Sequence, residues 1–108
     1  MKIHTLDINA LEWRDKVNGN SYFAGEIIVN MGMKRSERCF FMPFQYGYGS
    51  QYENEAINVL FNEKIIDEKL TWPHQLREKY GTLVRSFIRR GCLKRELKMY
   101  NTHANGGY

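Results

Sequence analysis

Two stretches of this chain have the residue types and spacing to hold another molecule. The first is Tyr46-Gly47-Tyr48-Gly49-Ser50, with Tyr52 just beyond it. A glycine-rich turn that feeds a helix presents backbone N–H groups beside the positive end of the helix dipole, an arrangement that holds phosphate. The pattern is neither GxxxxGK[ST] nor GxGxxG, because Tyr52 stands where the third glycine of the latter belongs. The plainer alternative is a tight aromatic connection whose amides are already satisfied by a capping box, Ser50-Gln51-Tyr52-Glu53. The interleaved tyrosines suit stacking on a base and packing on a protein equally.

The second stretch is basic: Arg89, Arg90, Lys94, Arg95 and Lys98. From Thr71 onward eight basic residues stand against Glu78 and Glu96, a net of +6 in a chain whose total is +4. The preceding residues are therefore slightly acidic. Such a face makes phosphate contacts to nucleic acid or steers the protein toward an acidic surface. It equally describes a solvated edge hairpin protected from aggregation by charge. In a hairpin, Lys94 and Lys98 share one face while Arg95 points the other way with Leu93 and Leu97.

Catalytic and metal chemistry find little support. His4, His74 and His103 are far apart, and with Cys39 and Cys92 they make only five candidate soft ligands, scattered where zinc needs four converging. Cys39 adjoins Phe40-Phe41, where burial quiets a thiol. Cys92 follows Arg89-Arg90-Gly91, a setting that favours a thiolate, but no partner base is evident. Paired carboxylates such as Glu53 and Glu55 read as solvated helix surface. The expectation is a protein without catalytic residues, metal or cofactor.

The elements that must position these residues are legible in outline. Asn18-Gly19, suited to a type I′ turn, separates the alternating run Leu11–Val17 from Ser21–Val29, which is rich in aromatic and β-branched residues. A polar turn at 31–37 leads into a short strand, Arg38–Met42, stopped by Pro43. Together these predict a three-stranded antiparallel meander. After the Tyr-Gly loop, Ala56, Val59, Leu60 and Phe61 with Ile57 mark a helix from Gln51 to about 62–64. Pro73 opens a second, shorter helix through Leu76 to Tyr80.

Beyond Gly81 two readings compete. Leu76, Tyr80, Leu83, Val84, Phe87 and Ile88 fit one long helix, whereas Thr82–Val84, Phe87-Ile88 and the alternation in 93–99 fit a C-terminal β-hairpin. The hairpin is the preferred expectation. The fold class is α+β in a single domain over 1–100, with 101–108 as a loose tail.

A hydrophobic fraction of 43% with 14% aromatics is enough for a packed core and argues against disorder. No apolar run approaches the roughly 18–20 residues that cross a bilayer. No signal-peptide centre appears, and two distant cysteines are fewer than a small secreted domain carries. Cytoplasmic residence without membrane contact is expected.

Three segments together resemble a group of small bacteriophage and prophage proteins: 19–24 (GNSYFA), 42–53 (MPFQYGYGSQYE) and 91–97 (GCLKREL). In that group a PFxYGYGxxY segment precedes a helix and a CLKRE-like segment lies near the end. The resemblance spans about Trp13 to Tyr100 and brings no catalytic residue with it. It implies action inside an infected bacterium, as an accessory protein that binds and disables a host defence factor, such as a nucleic-acid-guided nuclease. Two alternatives stay open: a DNA- or RNA-binding protein using the basic face, and a nucleotide-sequestering protein using the Gly47–Ser50 turn. An acidic DNA mimic is excluded by the sign of the charge. An exposed strand edge would make a homodimer easy.

Overall fold

The computed structural model describes residues 2–104. The described residues form four strands, β1 (Thr5–Asp15), β2 (Asn20–Val29), β3 (Arg38–Tyr46) and β4 (Leu83–Arg89), and three helices, α1 (Gln51–Asn62), α2 (His74–Tyr80) and α3 (Lys94–Ala104), with α1 and α2 between β3 and β4. The fold is α+β. One mixed sheet has the order β3-β2-β1-β4, antiparallel between the first three strands and parallel between β1 and β4.

Period-two alternation divides the sheet into two faces. Leu6, Ile8 and Ala10 of β1 lie opposite Val29, Ile27 and Gly25 of β2, and with Met42 they face the helical layer that contains Tyr52, Ala56, Ile57 and Leu60 of α1 and Leu76 of α2. Each fully buried aliphatic side chain there contributes roughly 1.5–3 kcal/mol. The other face carries Leu11, Trp13, Tyr22, Ala24 and Phe44, on which α3 lays Leu97 and Tyr100 beside Cys92. This second cluster is smaller and richer in rings.

The strand predictions need three corrections. First, β1 begins at Thr5, well before Leu11. Buried Asn30 fixes its start: its Oδ1 accepts from the N–H of His4 (2.6 Å) and Thr5 (3.2 Å), and its Nδ2 donates to Lys2 O (2.8 Å). Second, the β1–β2 turn is not type I′. Only Gly19 has a positive φ (73°), its N–H donates to Asp15 O (2.7 Å), and Asp15 pairs with Asn20 across a longer loop. The Asp15 carboxylate holds that loop by accepting from the N–H groups of Val17 and Asn18.

Third, Pro43 does not stop β3. Met42 lies opposite Gly25 while Gln45 lies opposite Phe23, so β3 spends one residue more than β2 over this interval. That is a β-bulge, a place where an edge strand tolerates a proline with no N–H to give.

The expected C-terminal hairpin is absent, and so is the rival long helix. The chain leaves α2 at Gly81 and returns as β4 alongside β1; a parallel neighbour needs a long crossover, which 47–82 supplies. Residues 94–104 are helical because Leu97, Tyr100 and Asn101 stand at i, i+3 and i+4 toward the sheet. Glu96, at the third helical position, accepts the N–H of Leu93 (2.6 Å), which is half of a capping box. Asn101 belongs to α3 rather than to a loose tail, and the part of that tail from 105 to 108 lies outside the described residues.

Candidate functional site

The bulge at Pro43 determines what the ring-rich face presents. Without it, even-numbered residues of β3 would all point with Met42 into the α1 core. With it, Phe44 and Tyr46 turn to the opposite face. Phe44 stacks on Tyr22 (centroids 5.0 Å apart, planes 7° from parallel), and Trp13 closes on both at 5.5 and 6.3 Å. Tyr46 meets Tyr22 edge-on at 5.8 Å, and Tyr48 meets Tyr46 at 6.4 Å. The result is a ridge of five rings running from the partly buried Trp13 to two exposed ends, Tyr46 (58% exposed) and Tyr48 (60%). Asn101 of α3 fastens its centre by accepting the Phe44 N–H (2.8 Å).

Lys94 and Lys98, one helical turn apart on α3, edge the ridge. The Lys94 ammonium stands 5.1 Å from the Trp13 ring centre and 6.0 Å from that of Phe44; Lys98 is also 6.0 Å from Phe44. These are cation–π distances. Neither lysine forms a salt bridge among the described residues. Their shared face comes from helical i,i+4 spacing and not from the strand alternation expected.

Two arginines of the predicted basic face, Arg89 and Arg90, are otherwise engaged. Arg90 reaches the nearly buried Glu12 carboxylate with both bonds from one nitrogen (3.3 and 3.0 Å). Arg89 donates to Cys92 Sγ (3.3 Å) and Glu96 (3.3 Å), and the thiol contact leads in raising its guanidinium pKa. Arg85 grips Asp7 through two nitrogens (2.6 and 2.9 Å), a hydrogen bond that raises its pKa further. Much of the charge excess near β4 is thus matched locally. Arg95 is exposed and stands apart from the Lys94–Lys98 row by one helix position.

The Tyr-Gly loop separates into exposed and structural members. Gly47 is buried, and a Cβ there would fall 2.5 Å from the Phe23 ring and 2.8 Å from Gln51 Oε1, so its glycine serves packing. Gly49 turns the chain with φ +61°. The anticipated capping box does not form. Ser50 is the N-cap, but at φ −90°, ψ 11° its backbone is outside the extended region that aims an N-cap hydroxyl at the helix amides. Gln51 acts instead, its Oε1 accepting the Tyr48 N–H (3.0 Å), while the Gly47 N–H goes to Ser21 O (3.0 Å). The Gln51 and Glu53 N–H groups likewise turn inward, to Tyr48 O (3.2 Å) and Ser50 O (2.9 Å).

Tyr52, grouped by sequence with Tyr46 and Tyr48 as a candidate binding residue, is buried. Its hydroxyl bonds Ser86 Oγ (2.7 Å), and burial raises its pKa with that bond opposing. Tyr52 therefore ties α1 to β4.

Sequence reasoning missed Trp13, Tyr22 and Phe44. The hairpin register would have revealed the first two: they are direct cross-strand partners once the β1–β2 loop has its true length. A two-residue turn at Asn18-Gly19 sets Trp13 across from Ala24 instead. Among the described residues no three His, Cys, Asp or Glu gather as a metal-ligand set, and no helix is long and apolar enough to cross a membrane. Comparison with protein-family models, with curated proteins and with solved structures found no match for this chain.

Proposed function

We propose that this protein is a non-enzymatic binder that docks a macromolecular partner on the aromatic ridge, anchored at its Tyr46–Tyr48 end, with Lys94 and Lys98 flanking the Trp13–Phe44 part. The observation that carries this reading is the pair of exposed tyrosines held in place by packed rings. Their neighbours restrict them before any partner arrives, which lowers the ordering cost of binding. Tyrosine is a frequent energetic anchor of protein interfaces, and lysines at the rim steer an acidic partner. In the setting that the resemblance to phage proteins implies, the partner is a host defence factor in the bacterial cytoplasm, such as a nucleic-acid-guided nuclease.

A second reading has its own support. Ammonium groups flanking a run of rings also suit a single-stranded nucleic acid, whose bases stack on the rings while its phosphates meet the lysines. Capture of the tagged protein from phage-infected cells, with and without nuclease treatment, separates the two. A protein recovered in both samples supports the first reading. A polynucleotide alone, with affinity that falls steeply as salt rises, supports the second. Turnover of a substrate by the pure protein, lost on replacing one side chain, would overturn both.

A further inference from the structure

We infer that β4 pairs antiparallel with β4 of a second copy, joining two sheets across a two-fold axis at Ser86. Among the described residues β4 is an outer strand, with β1 on one side and no strand on the other. The Leu83 N–H donates to His4 O (2.9 Å), which fixes the direction of every backbone group along the strand. Residues 83, 85, 87 and 89 turn their N–H and C=O groups toward β1, and Val84, Ser86 and Ile88 turn theirs outward. This outward row is a template for another strand.

The sequence of β4 selects its own copy as that strand. With Ser86 opposite Ser86, all seven residues Leu83–Arg89 find partners. Val84 then faces Ile88 and exchanges backbone hydrogen bonds with it. On the other face, in the closer non-hydrogen-bonded pairs, Arg85 faces Phe87 and Leu83 faces Arg89. Phe87 is 62% exposed and Leu83 51% in the single chain, so both have surface to lose. The neighbouring registers that keep the same hydrogen bonding set Arg85 against Arg85, or against Arg89, and like charges directly opposite are unfavourable. Only the Ser86-centred register gives full length without setting an arginine directly opposite an arginine. The Val84 carbonyl already accepts from Arg77 Nη2 (3.0 Å), and its second lone pair remains for the Ile88 N–H of the other copy. The surface lies apart from the tyrosine ridge and is independent of its role.

Sedimentation of the purified full chain over a range of concentrations tests this, with Phe87→Arg and Phe87→Glu as paired variants at an exposed position. The wild type is expected to dimerise reversibly. Phe87→Arg places arginine against Arg85 of the second copy, whereas Phe87→Glu places a carboxylate there, so the dissociation constant of the first should exceed that of the second by about tenfold. Circular dichroism on both variants confirms that they fold. A wild type that stays monomeric overturns the inference. So does equal weakening by both charges, which marks unspecific apolar sticking, and so does dimerisation that neither variant alters.

Discussion

Met42 and Phe44, two residues apart on one strand, stand on opposite faces of the sheet. Met42 is fully buried beneath the α1 layer, while Phe44 stacks on Tyr22 under α3. The extra residue at Pro43 reverses the alternation between them and so creates the ridge. Deleting Pro43 restores the simple period and drives Phe44 and Tyr46 toward the α1 side. The expected outcome is loss of the near-ultraviolet circular dichroism signal of the ring cluster. Stability should fall by at least about 1 kcal/mol, the scale of the lost ring pairs. An unchanged spectrum would refute this origin of the ridge.

Gly47 is expected to tolerate no side chain. Gly47→Ala thrusts a methyl toward the Phe23 ring and Gln51 Oε1, and overpacking of this kind costs roughly 1–3 kcal/mol. Denaturant unfolding measures it. A variant as stable as the wild type would show that the loop yields freely, contrary to the packing role assigned here.

Basic residues near the C-terminal end should fall into two groups. Arg90→Ala leaves the Glu12 carboxylate, 11% exposed, without its partner. Because the guanidinium itself is 62% exposed, the pair is largely screened and the expected loss is about 1–2 kcal/mol. Lys94→Ala and Lys98→Ala should each cost about 0.5 kcal/mol or less while weakening partner capture. Thermal melts and capture assays on the same three variants give the comparison. Equal destabilisation by all three would contradict the division.

The Asp15 carboxyl has a pKa below its ordinary value, chiefly through the Asn18 side-chain hydrogen bond, with the Asn18 and Val17 N–H groups adding to it. A carboxyl depressed in the folded state stabilises the fold above its unfolded pKa of about 3.9. That contribution is lost as pH falls through the lower folded value. The stability gap between wild type and Asp15→Ala should therefore be present at neutral pH and close in acid. A gap that widens as pH falls below about 4 would contradict this sign.

Local chemistry made some elements readable in advance and hid others. The meander, α1 and α2 were legible because alternation, helical spacing and Pro73 each point to one conformation. The segment at 93–99 was misread because an alternating Leu-Lys-Arg-Glu-Leu-Lys-Met run satisfies both periods over so short a length. Contact of Leu97 and Tyr100 with a sheet face not yet specified decides between them. The parallel place of β4 beside β1 is likewise a long-range choice that no local signal announces. Tyr46 and Tyr48 were found as candidate anchors. Trp13, Tyr22 and Phe44 were not, since their meeting depends on a turn length and a bulge, each a shift of a residue or two.

The most direct test of the binding role compares two tagged proteins purified side by side from infected cells, the wild type and Tyr46→Ala/Tyr48→Ala. Both rings are more than half exposed, so the double variant should fold and melt close to the wild type. An interface anchor is worth about 2 kcal/mol or more, which is roughly thirtyfold in affinity. The account predicts that the wild type retains a partner and the folded double variant loses it. Retention of the same partner in the same amount by both proteins would contradict it.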